Sequence, residues 1–130
     1  MSRAIKFRGK SKETGQWVYG GLVQVSSAGS LAIASLDDKG HLKLQEIIPE
    51  TVGQFVELPN YGMYEGDIYE WERMSFYPLD DPMARGVVRH NEWAEWAVGG
   101  FLLNKIYHRG TVIGNIHDNP ELLGGEAAKA

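Results

Sequence analysis

Cysteine is absent from all 130 residues, which rules out a disulfide framework and any thiolate-bound metal, and nothing in the chain calls for an oxidising compartment. Histidine is sparse: His41, His90, His108 and His117 are scattered, with no HxH, HxxxH or HExxH spacing to seat a metal. The nearest approach, His90 with Glu92 and then Glu95, reads as a solvated strand end. No apolar run nears the ~18 residues a membrane helix needs, and the start, MSRAIKFRGK, lacks the apolar core of a secretory leader. A soluble cytoplasmic protein is expected. Also missing are a GxSxG elbow, a GxGxxG turn and a P-loop. Carboxylates do recur in pairs, at Glu65/Asp67, Glu70/Glu72 and Asp80/Asp81. General acid–base work, however, needs two carboxyls in different environments, whereas alternate residues of one strand share a face and repel. The expectation is a protein with no catalytic residues, no metal and no cofactor.

What the chain does contain points to β-structure. Sixteen glycines exceed the usual share of about 7 % and suit short strands joined by tight turns. A hydrophobic share of 43 %, with four Trp, six Tyr and four Phe, suits a packed core. The length fits one compact domain, 1–130.

The densest punctuation lies between Ile48 and Trp71, where Pro49, Gly53, Pro59, Asn60, Gly62 and Gly66 interrupt β-type runs. This stretch reads as the hub between an N-terminal β-meander and a second β-unit, with a candidate seam at 49–66. Upstream, Ala4–Arg8 and the run WVYGGLVQV form a hairpin across Gly15, the second strand being central because both its faces are apolar. Leu31–Ser35 and Leu42–Ile48 follow across the turn at Asp37–Gly40, giving a meander of about four strands. Downstream, Asp67–Arg73 reads as a strand with Tyr69 and Trp71 on one face and Glu70 and Glu72 on a solvated one. The stretch SFYPLDDPMA, with two prolines, is predicted as a loop. Gly86–His90, Glu95–Val98 and Val112–Ile116 are predicted strands; DNPELL is a one-turn helix capped by Asn119 with Pro120 at its first position. The last residues, 124–130, read as a frayed tail.

Charge is uneven. Met1–Lys12 holds five bases and no acid, while Glu13–Asp81 holds twelve acids against Lys39, Lys43 and Arg73. A basic edge strand that discourages edge-to-edge pairing explains the first run. The aromatics Trp17, Tyr19, Tyr69, Trp71, Trp93 and Trp96 would stack bases only beside arginines and lysines. Tyr69 and Trp71 have acidic flanks, so core packing or a subunit contact is expected of them.

The motifs AIKFRGKSKETGQWVYG, IPETVGQF, YEGDIYEW and VIGNIHDNPELL, in this order and over nearly the whole chain, resemble the YopX family of small phage and prophage proteins. The resemblance implies an all-β fold, or a β-rich one with one or two short helical turns, and expression in the bacterial cytoplasm. The EGDI segment followed by GVV is also similar to the strand pattern of small SH3-like barrels, which gives the second β-unit that expected character. The family motifs include Pro49, Glu50, Gly53, Glu65, Gly66, Asp67, Gly114 and Asn115, residue types that suit turn geometry.

The functional expectation is a non-enzymatic protein that contacts another protein, of phage or host, or assembles with itself into a homo-oligomer. Its candidate surface is Tyr69, Trp71, Trp93 and Trp96. The alternative is a small nucleic-acid-binding module using the basic N-terminal strand with Arg85, Arg89 and Arg109, against which the net charge of −4 argues.

Overall fold

A computed structural model describes residues 6–73, 78 and 82–123. The protein is β-rich, 53 % strand and 10 % helical, with three antiparallel sheets. It divides into two compact units, Met1–Glu57 and Leu58–Ala130.

The first unit is built on β1 (Phe7–Lys10), β2 (Trp17–Gln24), β3 (Leu31–Leu36), β4 (Leu42–Ile47) and β5 (Gly53–Leu58), in the sheet order β4-β3-β2-β1-β5. The meander of four strands is present as expected. Its second strand changes partner midway: Trp17–Gly20 pair with β1 and Gly21–Gln24 pair with β3. The change happens at Gly20 because a Cβ there would overlap the carbonyl oxygen of Ala34. Beyond β1, Ser11 bridges Ile47, the Ile48 N–H donates to Lys10 O (2.8 Å) and the Lys12 N–H to Glu46 O (3.0 Å). The meander therefore curls until its fourth strand meets the end of its first. Ile33 and Ile47 are fully buried on the inner face.

One expectation is corrected here. The N-terminal basic strand is not an edge: β1 lies between β2 and β5. Its bases stand over aromatic rings of the same unit. Lys6 Nζ is 4.5 Å from the Phe55 ring, and the Arg8 guanidinium lies 4.4 Å from that of Trp17, leaving Arg8 only 6 % exposed. Alternation puts Lys6, Arg8 and Lys10 on one side of the strand, where the rings attract the cations and cover their stems.

A 3₁₀ turn, Pro49–Thr51, follows β4. Buried Thr51 ties it down: its hydroxyl donates to Ile48 O (2.6 Å) and accepts from the Lys10 N–H (2.8 Å).

The second unit holds β6 (Tyr61–Tyr64), β7 (Asp67–Glu72), β8 (Met83–Val87), β9 (Arg89–His90), β10 (Trp96–Val98), β11 (Phe101–Leu102), a single helical turn α1 (Leu103–Ile106) and β12 (Gly110–Asn115). One sheet runs β12-β7-β8 and another β11-β10-β9. Three local expectations change. The predicted strand Gly86–His90 is split at Val88, whose N–H and C=O go to Asp67 O and Gly66 N, so β8 joins one sheet and β9 the other. The predicted loop SFYPLDDPMA falls mostly outside the described residues, but Met83 and Ala84 at its end pair with Glu72 and Trp71. The stretch after Gly100, given no element by its sequence, forms β11 and α1.

At the C-terminal end Pro120–Leu123 forms a 3₁₀ turn. Asn119 does not cap it forwards; its Oδ1 accepts from the Asn115 N–H (3.3 Å). Among the described residues no helix is long and apolar enough to cross a membrane.

Gly20→Ala should cost about 1–3 kcal/mol, the usual penalty for overpacking, because the obstruction is backbone rather than a side chain that can turn away. Urea denaturation followed by tryptophan fluorescence checks this; an unchanged midpoint would show that β2 and β3 do not approach so closely.

Candidate interaction surfaces

The four aromatics predicted as one surface lie in two settings. Tyr69 and Trp71 are 1 % and 7 % exposed and belong to the core, which corrects their assignment. Alternation places both on the inner face of β7, where Tyr69 stacks on Trp71 with centroids 5.9 Å apart. The Tyr69 hydroxyl donates to Ile106 O (2.7 Å) and accepts from the Gly110 N–H (2.6 Å), so it joins the end of α1 to the start of β12. Burial pushes the phenol up, partly offset by the Gly110 N–H bond. Over Trp71 passes Gly99, with φ +54°, where a Cβ would stand 2.6 Å from the indole; only glycine meets both demands.

Trp93 and Trp96 belong to the hairpin between β9 and β10. Trp96 stacks on His90 with centroids 3.8 Å apart. Trp93 sits at the tip, 72 % exposed. The tip is clamped: Asn91 Oδ1 accepts from the N–H groups of Trp93 (2.9 Å) and Glu95 (3.0 Å), its Nδ2 donates to Glu95 Oε1 (3.1 Å), and the backbones of Asn91 and Glu95 bond directly. Ala94 accepts φ 61° to complete the turn, a conformation that disfavours a residue with a Cβ.

Beside this hairpin two cavities of about 510 and 440 Å³ adjoin, sharing Arg85, Gly99 and Phe101. Arg85 and Arg89 line the first, Arg73, Arg85 and Arg109 the second. Arg85 thus lines both cavities, Arg89 the first and Arg109 the second, together with Arg73 and Phe101, which the sequence reading did not select. Arg85 lies opposite Glu70 across β7 and β8 and pairs with it, Nε to Oε2 at 2.8 Å, so Glu70 is more than a solvated strand residue. Of the four histidines, His90 alone lines either cavity. Among the described residues no group of three or more His, Asp or Glu is arranged to hold a metal ion.

A second surface lies on the first unit. Direct cross-strand partners Leu36 and Leu42, with Leu44 opposite Ala34 and Val23 opposite Ala32, face away from Ile33 and Ile47. Leu36 and Leu42 are 69 % and 70 % exposed, and Leu44, Val23 and Tyr19 are also exposed. Leu42 and Leu44 alternate with Lys43 and Gln45, and the inward residue of this strand is Ile47. The Lys12–Glu46 ion pair, 2.9 Å, gives a charged margin.

The family-motif residues lie in turns and at the ends of strands. Pro49 and Glu50 start the 3₁₀ turn and Gly53 opens β5. Gly66, φ 93°, bends the chain between β6 and β7, Glu65 lies beside it, and Asp67 Oδ2 accepts from the Tyr64 N–H (2.8 Å). Gly114 follows a bulge in β12, where the register shifts, and Asn115 Oδ1 accepts from the N–H groups of His117 and Asp118 (3.0 and 2.9 Å).

These features define a small β-rich protein of two units. The family model for YopX protein matches residues 6–124, and the chain belongs to the YopX family. No curated protein and no solved structure matches it.

Tyr69→Phe leaves Ile106 O and Gly110 N–H without their buried partner and should cost about 1–3 kcal/mol. Because the folded phenol pKa is raised, its contribution is complete below the ordinary phenol value of about 10 and is lost as pH rises through the folded value. Wild-type stability should therefore fall at alkaline pH more steeply than that of the variant in paired denaturation curves. Separately, Ala94→Gly should stabilise by about 0.5–1 kcal/mol by relieving the turn, read as a raised melting temperature.

Proposed function

We propose that this protein is a non-enzymatic assembly protein, acting in the cytoplasm of a phage-carrying bacterium, whose first contact is with a second copy of itself. The observation that supports the reading is the outer face of the β2–β3–β4 meander. Leu36, Leu42 and Leu44 protrude there on adjoining strands, with Val23 and Tyr19 beside them. Isolated exposed apolar residues are ordinary, but a contiguous group bounded by charge is the pattern of an interface. The neighbouring positions Gly21 and Ala34 are small, so a facing sheet can approach closely. Two copies packed through this face would each cover the other's leucines, an isologous contact of the kind most homo-oligomers use.

Sedimentation equilibrium at micromolar concentration should give a mass that is a multiple of the single chain. Leu42→Lys and Leu44→Lys should shift it to the monomer, while changing the stability of the separated chain by less than about 0.5 kcal/mol, as surface substitutions do. A wild-type monomer at those concentrations would refute the reading.

A further inference from the structure

The two adjoining cavities of the second unit carry a charge that the rest of the unit does not. Leu58–Ala130 contains eleven Asp and Glu against six Lys and Arg, yet all four of its arginines, Arg73, Arg85, Arg89 and Arg109, stand on the cavity walls. In an acidic unit each arginine has carboxylates to choose from. Among the described residues only Arg85 takes one, through Nε to Glu70, while its Nη1 donates to Leu122 O at 2.8 Å. Among the described residues the guanidinium groups of Arg73, Arg89 and Arg109 have neither an ion pair nor a hydrogen bond. Three arginines with no partner among the described residues, on cavities that share a fourth whose orientation is fixed, make a local positive field inside a negative surround.

The same groove exposes flat apolar surface. Phe101, shared by both cavities, is 45 % exposed, and Trp93 lines the larger one from its clamped turn. The clamp matters because the backbone that carries the indole is already ordered, so less freedom is lost when a ligand covers the ring. A partner that fits must carry repeated negative charge and planar faces at once. An acidic peptide offers the charge without the planes, and a duplex keeps its planes stacked inside. Inorganic phosphate would leave Trp93 uncovered.

We propose that this groove binds single-stranded nucleic acid, with backbone phosphates on Arg73, Arg89 and Arg109 and a base stacked on Trp93. The combination of an arginine-lined track with an aromatic platform is the general means of holding an unpaired strand without reading its sequence. Arg85, oriented by Glu70 and Leu122, sets the junction of the two cavities. Cavities of this size admit a nucleotide each. The basic N-terminal strand takes no part.

The test uses the full chain and fluorescein-labelled oligothymidylate and oligouridylate, followed by anisotropy across a salt series, with duplex DNA and polyglutamate as competitors. Both labelled strands should bind at low salt, and the affinity should fall with a log–log slope of about −0.7 per phosphate neutralised. Arg89→Ala and Arg109→Ala should each make that slope shallower. Trp93→Ala should weaken binding about tenfold, and Trp93→Phe should restore most of the loss, which a merely structural tryptophan would not do. Thermal melting of each variant verifies its fold. Absence of binding at low salt would overturn the proposal. So would polyglutamate or duplex competing as well as the single strand, or affinity unchanged by Trp93→Ala. Sedimentation of the same variants should stay as in wild type, which separates this outcome from that of the assembly reading.

Discussion

A single phenol holds the second unit's core in order. The Tyr69 hydroxyl, sealed from water, is the common partner of a carbonyl at the end of α1 and an amide at the start of β12. A helical turn of four residues has no stability of its own; it persists because this bond and the packing of Leu103 and Ile106 keep it against the sheet. Trp71 stacks on the same ring, and Gly99 crosses the indole closely enough that the β10–β11 turn takes its position from it. Arg73 follows the end of β7, which carries this phenol, and Arg109 lies between the two backbone groups that the phenol joins, so the placing of both is referred to one buried side chain.

The first unit depends on a different device. A strand of eight residues serves two neighbours in succession, and the exchange occurs where the chain has two glycines and hence no side chain to obstruct a crossing backbone. That exchange lets the meander curl until Ile47 covers Gly9, where an added Cβ would stand 2.6 Å from the isoleucine. Curling decides which alternate residues face inwards. It turns Ile33 and Ile47 to the interior and leaves Leu36, Leu42 and Leu44 outside.

Much of the β-architecture was legible, because Asp37–Gly40, Gly66 and Gly99–Gly100 are strong turn signals between alternating runs and require no long-range information. The family motifs were legible too, and Asp67 and Asn115 bond to turn amides as short polar side chains do. The misreadings have a common cause. Whether Lys6, Arg8 and Lys10 border solvent or lie over rings depends on what pairs with the far side of β1, and β5 arrives from more than forty residues away. Likewise the alternation along Leu42–Ile48 does not say which of its faces is buried, since that follows from sheet curvature. The arginine groove had half a signal: Arg85, Arg89 and Arg109 were picked for charge, while Arg73 and Phe101 join them only through the pairing of β7 with β8 and the fold of the glycine turn.

The hairpin tip at Asn91–Glu95 has one more consequence. Every bond that shapes it is made by backbone or by the side chains of Asn91 and Glu95, so the indole of Trp93 contributes nothing to its form. Selection can therefore exchange the residue at that one codon, and with it whatever the tip touches, without having to solve the fold again.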